Sequence, residues 1–270
     1  VDPSAYVRRA AALGVLKIYH VEKERVADEK LLEPLQVMAL HDADPQVQAN
    51  CLTVLMETIG VEQLANRDFL VPLLSRISTF NEWAQCLILE LAAHFAPDGE
   101  ETYDIMNILE DRLHHSNSAI VLATINVFLK ITLSLPEVHQ QVYERIKAPL
   151  LTLISTALPE LAYPVVAHLH LLVNRVPVLF AEDYKQFYCR YSDPAYIKKL
   201  KLEMLTAVAD SNNMYDIVTE LSEYVADIDV TIACRSVRAV GQIALDTPDT
   251  DGIVERLLQF LDLGQDHITA

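Results

Sequence analysis

Nine histidines, four cysteines and 38 acidic residues could in principle bind metal or move protons, but their spacing supports neither. His168 and His170 lie two apart, and helix residues two apart point in different directions, so the pair does not share a metal. His114 and His115 fall at an expected helix end, where a cationic ring complements the helix dipole. No H-E-x-x-H occurs. Cys51, Cys86, Cys189 and Cys234 are far apart with no ligand-type spacing, and read as reduced, mostly buried thiols. There is no G-x-S-x-G. Asp227 and Asp229 form a carboxylate pair, but at a helix-start corner, where capping accounts for them. The sequence therefore predicts no catalytic residue, no metal site, no cofactor and no enzyme.

Phosphate chemistry is equally poorly served. Six glycines in 270 residues is sparse beside the usual ~7%. Neither G-x-G-x-x-G nor G-K-[S/T] is present, which argues against the common nucleotide-binding loops. The formal net charge of −17 repels nucleic acid and anionic lipid over most of the surface. Against that background three basic clusters stand out: Arg8 with Arg9, Lys198 with Lys199 and Lys201, and Arg235 with Arg238. They recur near the starts of helices and form a possible basic edge for an acidic partner or a phosphoinositide. The alternative is that each pairs with corner aspartates of an adjacent repeat and locks the stacking. Trp83 and the run Tyr184, Phe187, Tyr188 and Tyr191 are aromatic interface candidates, with packing between repeats as the alternative expected to apply.

The elements that position these residues are helices. About seven times, every roughly 35 to 42 residues, a polar corner is followed by a long apolar helix and a returning one. The restarts lie near Asp2-Pro3, Asp44-Pro45, Glu82, Ser118, Pro159, Asp193-Pro194 and Asp229. In the first helix Val7, Ala10, Ala11, Gly14, Val15 and Ile18 make one stripe, and apolar residues on its other sides predict a helix sandwiched between neighbours. The stretch from Ala119 to Leu135 is apolar but broken by Thr124, Asn126, Lys130, Thr132 and Ser134, and Pro136 is expected to end it. It reads as a buried helix rather than a membrane span. Pro177 is expected to close the fifth first helix, with Asp183 to Tyr191 returning. The fold class is all-α, a HEAT/armadillo-type solenoid of about seven helical pairs. Residues 1–270 are expected to form one continuous array, an internal fragment of a longer trunk. Such arrays present preformed surfaces to other proteins.

The repeat phrases "SAYVRRAAALGVLKIYH", "NEWAQCLILELAAHF", "SNSAIVLATINVFLKI", "YKQFYCRYSDPAYIKKLKLEML" and "RSVRAVGQIAL" resemble, in order, the trunk of β-adaptins. These are large subunits of heterotetrameric adaptor-protein complexes. "KQFYCRYSDPAYIK" and "LGQDHIT" are most similar to β members of the fourth, non-clathrin adaptor complex at the trans-Golgi network. The resemblance implies a non-enzymatic scaffold that assembles with μ, σ and a second large, ε-type subunit and sorts cargo in vesicle-mediated transport. It implies recruitment by an Arf-family GTPase through regions mostly outside this chain. It also implies a cytosolic protein held peripherally on trans-Golgi and vesicle membranes; that no nucleic acid is bound is expected from the net charge. Aligned on "VRAVGQIAL", two positions that plug the μ cargo pocket in the related endocytic complex fall on Ile228 and Ile268. The family has valine and tyrosine there, so Ile268 departs from the aromatic type. Both also fit as ordinary apolar residues at repeat corners. The competing reading is a karyopherin-like receptor or phosphatase scaffold, which would share the repeats but not the ordered phrases.

Overall fold

The computed structural model describes residues 2–156, 159–247 and 251–261, and all regular structure among them is helical. Two compact units divide at Pro149.

The first unit, Val1–Pro149, opens with α1 (Ala5–Val21), a short α2 (Lys23–Asp28) and α3 (Leu32–His41). The second pair is α4 (Pro45–Thr58), a single turn α5 (Val61–Leu64) and α6 (Arg67–Leu74). Then come α7 (Glu82–Ala92) with α8 (Gly99–Leu109), and α9 (Ser118–Ile131) with α10 (Pro136–Thr156), which runs on past Pro149. The corners start these helices for a chemical reason. The first backbone N–H groups of a helix lack partners, and a short polar side chain supplies one. Asp44 accepts from the Gln46 N–H at 2.7 Å, Asn81 from Ala84 at 2.9 Å and Asn117 from Ala119 at 2.9 Å. Asn66 and Asp98 cap α6 and α8 in the same way. Gly60 sits at φ +99°, a left-handed conformation open to glycine, and turns the chain into α5.

Stacking buries both sides of the inner helices. On α4, Val47, Cys51, Leu52, Val54 and Leu55 are all buried, and on α9 so are Ile120, Val121, Ile125, Val127 and Phe128. The hydroxyls within the apolar α9 segment are satisfied locally: Thr124 donates to the Ile120 carbonyl and Thr132 to that of Phe128. No described helix is long and apolar enough to cross a membrane. The expected sandwich is incomplete at α1. It packs on α2 and α4, only Ala12 is fully buried, and Val7, Leu13 and Ile18 stay partly exposed because no described helix covers that side.

The second unit, Leu150–Ala270, contains α11 (Pro159–Arg175) with α12 (Pro177–Phe180), α13 (Ala195–Val208) with α14 (Met214–Tyr224), and α15 (Val230–Asp246) with α16 (Asp251–Leu261). The first helices α11, α13 and α15 pack in sequence, and α14 packs on α15. Asp229 caps α15, accepting from Thr231 at 2.8 Å.

All seven first helices begin near the expected corners. One proline reading is corrected: Pro136 opens α10, after α9 has already ended at Ile131. The fifth first helix does end just before Pro177, at Arg175, and Pro177 also opens α12. Proline suits the first helical turn, where its missing N–H leaves no unmet bond. The return expected over Asp183 to Tyr191 is instead α12 continued by a tight 3-10 stretch, Ala181–Phe187.

Candidate protein-interaction surface

Equivalent corners are tied together across one repeat length. In the first unit Arg9 meets Asp44 at 2.5 Å, the Asn81 amide donates to Gln46 at 2.8 Å, and the Asn117 amide donates to Glu82 at 2.5 Å. Each of these links spans 35 residues. Arg8 adds a two-pronged contact to Asp42, with Nε at 2.7 Å from one oxygen and an NH2 group at 2.8 Å from the other. Bidentate pairing of this kind is among the stronger charged contacts.

In the second unit Lys198 reaches Asp227 at 2.6 Å, and Lys201 reaches Asp193 at 2.6 Å and the Tyr188 carbonyl at 3.1 Å. The Tyr224 hydroxyl accepts from the Cys189 N–H at 2.8 Å and donates to Glu220. Burial, and then the bond to Glu220, hold that phenol well above its ordinary value. Burial likewise pushes the Cys51 thiol up to about 12 and that of Cys189 up to about 11, which removes thiolate character at neutral pH. Cys51 is buried; the other three cysteines are half-buried rather than fully enclosed.

These contacts disperse much of the basic edge. Arg8, Arg9, Lys198 and Lys201 are paired with corner aspartates, and Arg235 approaches Glu203 at 3.5 Å. Lys201 is only 4% exposed and offers no charge to a partner. Lys199 and Arg238 remain exposed. Their side chains make no ion pair or hydrogen bond among the described residues. His168 contacts the Pro164 carbonyl of its own helix, while His170 turns to Glu203 at 2.9 Å, so the two rings point apart.

The Arg8 and Arg9 guanidiniums and the Lys198 ammonium hold Asp42, Asp44 and Asp227 below the usual carboxylate value of 3.8. The sign follows directly. The unfolded chain takes up protons first, so this stabilisation is present above pH 3.8 and is lost as pH falls through the lower folded values. Acid titration of stability should therefore steepen below that point. Asp42→Asn should reduce the maximal slope by up to ~1.4 kcal/mol per pH unit, one proton's worth, as read by urea melts at stepped pH. An unchanged slope would show that Asp42 titrates alike in both states.

Two of the most exposed apolar residues stand at corners of the second unit. Ile228, between α14 and the cap of α15, is 93% exposed, and Tyr191 is 97% exposed. Together with Ala195, Lys198 and Asp227 they border a groove of about 580 Å³. Ile268 lies outside the described residues. Trp83 was expected to pack between repeats but is 83% exposed, because it occupies the outward side of the first turn of α7. Phe187 does pack inside, while Tyr184 and Tyr188 are half-buried.

The adaptin N-terminal region matches residues 1–270. The chain is 53% identical to the beta-adaptin-like protein A of Arabidopsis thaliana, over 100% of this chain and 34% of that protein. It is 42% identical to the AP-4 complex subunit beta of Dictyostelium discoideum, over 90% of this chain and 30% of that one. Against the human AP-1 complex subunit beta-1 the identity is 32%, over 90% of this chain and 26% of the relative. The chain thus spans about a third or less of the length of these relatives. Among structures, a homology model of the full-length AP-3 complex in an intermediate open conformation aligns with a TM-score of 0.59 at 20% identity, covering 97% of this chain and 48% of that one. That likeness supports the helical fold alone. The ordered repeat phrases and the match along the whole sequence place this chain in the adaptin family of non-enzymatic structural subunits, in its N-terminal region and among β-type relatives.

Proposed function

We propose that this chain is the trunk of a β subunit that scaffolds the fourth adaptor complex, where it assembles with μ, σ and an ε-type large subunit. The observation that carries this reading is the adaptin match over all 270 residues, joined by 42% identity to an AP-4 β subunit. On this reading the protein sorts cargo into vesicles at the trans-Golgi network, as a cytosolic component held peripherally on the membrane. Arf-family GTPase contacts fall mostly outside this chain. Residues 1–270 act as one continuous array, a reading supported by the unbroken course of α10 through Pro149 and by the same helical-pair plan in both units. Ile228 is proposed to contact μ, because a side chain 93% exposed at a corner is available to a partner at no cost to the fold. Ile268 is proposed for the same surface. The karyopherin-like and phosphatase-scaffold alternatives have no support from the family match.

Coexpression with the μ subunit of the fourth complex, followed by size-exclusion chromatography with light scattering, tests this. Comigration with that μ and not with those of other complexes is the expected result. Comigration with a different μ would reassign the complex, and binding to none by a folded chain would refute the assembly. Ile228→Asp should weaken μ retention about tenfold, as an exposed apolar contact would, without shifting the melting temperature.

A further inference from the structure

A second groove of about 580 Å³ lies on the first-helix face of the second unit, between α13 and α15 with Asn174 of α11 at its margin. Two helical stripes form it. On α13, Lys199, Leu202, Glu203 and Thr206 recur at helical spacing, and on α15 so do Arg235, Arg238, Ala239 and Asp246. The floor is apolar: Leu202, Ala239 and Ile243 are packed beneath the charged rim, and half-buried Ala207 and Ala209 line the surface above them.

The rim is unusual in a chain of net charge −17. Three cations face it against two carboxylates, and both carboxylates are already engaged. Glu203 takes Arg235 at 3.5 Å and His170 at 2.9 Å. Asp246 accepts from the Gln242 amide at 3.0 Å. Lys199 and Arg238 are thereby left facing the groove without a carboxylate among the described residues. Lys198 and Lys201 of α13 have aspartates within reach; Lys199 on the same helix, and Arg238 midway along α15, do not.

We propose that this groove binds an acidic segment of a partner protein, with carboxylates on Lys199 and Arg238 and an apolar side chain between them against the Ala207 and Ala209 lining. Charge complementarity selects the occupant. Two free cations match one or two carboxylates, whereas a polyphosphorylated lipid headgroup would be brought against Glu203 and Asp246. The apolar floor favours a side chain beside the acid, which a peptide carries and a headgroup does not. The inference concerns a groove away from Ile228 and does not depend on which adaptor complex the chain serves.

The test uses the purified full-length subunit and a fluorescent peptide of alternating glutamate and leucine, read by anisotropy. A glutamine-for-glutamate peptide and phosphoinositide-containing vesicles run in parallel. Saturable binding of the acidic peptide, weakened about tenfold by K199E/R238E and unaffected by K17E/K130E, supports the proposal. Both pairs of positions are exposed, so neither substitution removes a core contact, and circular dichroism confirms that each variant is folded. Equal loss in the two double variants would reduce the effect to net charge and overturn the site. So would no peptide binding, equal binding of the glutamine peptide, or binding of vesicles alone.

Discussion

Replacing Lys201 with methionine is expected to destabilise the fold by about 3 kcal/mol, because the change breaks a buried ion pair from one side. The side chain is 4% exposed, and its ammonium bridges Asp193 at 2.6 Å and the Tyr188 carbonyl at 3.1 Å. Asp193 also accepts from the Arg190 N–H at 2.8 Å, so the lysine pins the 188–193 corner onto α13. Methionine keeps the length of the stem but leaves a sheltered carboxylate without its countercharge and a carbonyl without its donor. Adding Asp193→Asn should recover about 1 kcal/mol or more, since the uncompensated charge, rather than lost packing, is the source of the penalty. Urea denaturation of the two single variants and the double variant closes the cycle. A loss below about 1 kcal/mol for Lys201→Met would place the pair with ordinary surface bridges.

Lys201 also shows where the sequence stops being informative. Lys198, Lys199 and Lys201 look alike in a linear reading, and all three fall near the start of a helix. Their positions around α13 separate them: one reaches the next corner, one faces the groove and one points inward. The first helices were legible because each combines a polar corner with a long apolar run, and the capping contacts at Asp44, Asn81, Asn117 and Asp229 are the physical form of that pattern. The prolines were ambiguous because the residue that stops one helix is also well suited to start the next. The 35-residue ladder was legible only as a possibility. Its links join side chains one repeat apart, and which corner meets which depends on the stacking of the helices. Exposure of Trp83 and Ile228 depends on what stands opposite them, which local sequence does not state. The family phrases pointed to Ile228 by alignment; no spacing or hydrophobic pattern separated it from a buried corner residue.

The stretch between α12 and α13 was read as an ordinary return helix, and its core is where the second large effect is expected. Phe187→Ala should cost about 4 kcal/mol, in the range for deleting a buried aromatic ring. Phe187 is fully buried, closes the 3-10 stretch and stands 6.4 Å from the ring of Phe180, itself 1% exposed. The 3-10 stretch packs against α13. So short an element has little intrinsic stability, and the ring has to hold it by burial. For a chain of this size such a loss corresponds to a melting temperature lower by ~10 °C. Tyr191 is the control. It lies four residues further along in the same connection, is 97% exposed, and as Tyr191→Ala should stay within about 0.5 kcal/mol of the parent. The two variants therefore separate scaffold from surface within one short segment. If Tyr191 contacts a partner, its alanine variant loses binding while keeping its melting temperature, whereas Phe187→Ala loses stability first and binding only as the corner loosens. Equal thermal shifts in the two variants would show that this connection is not anchored by its buried ring.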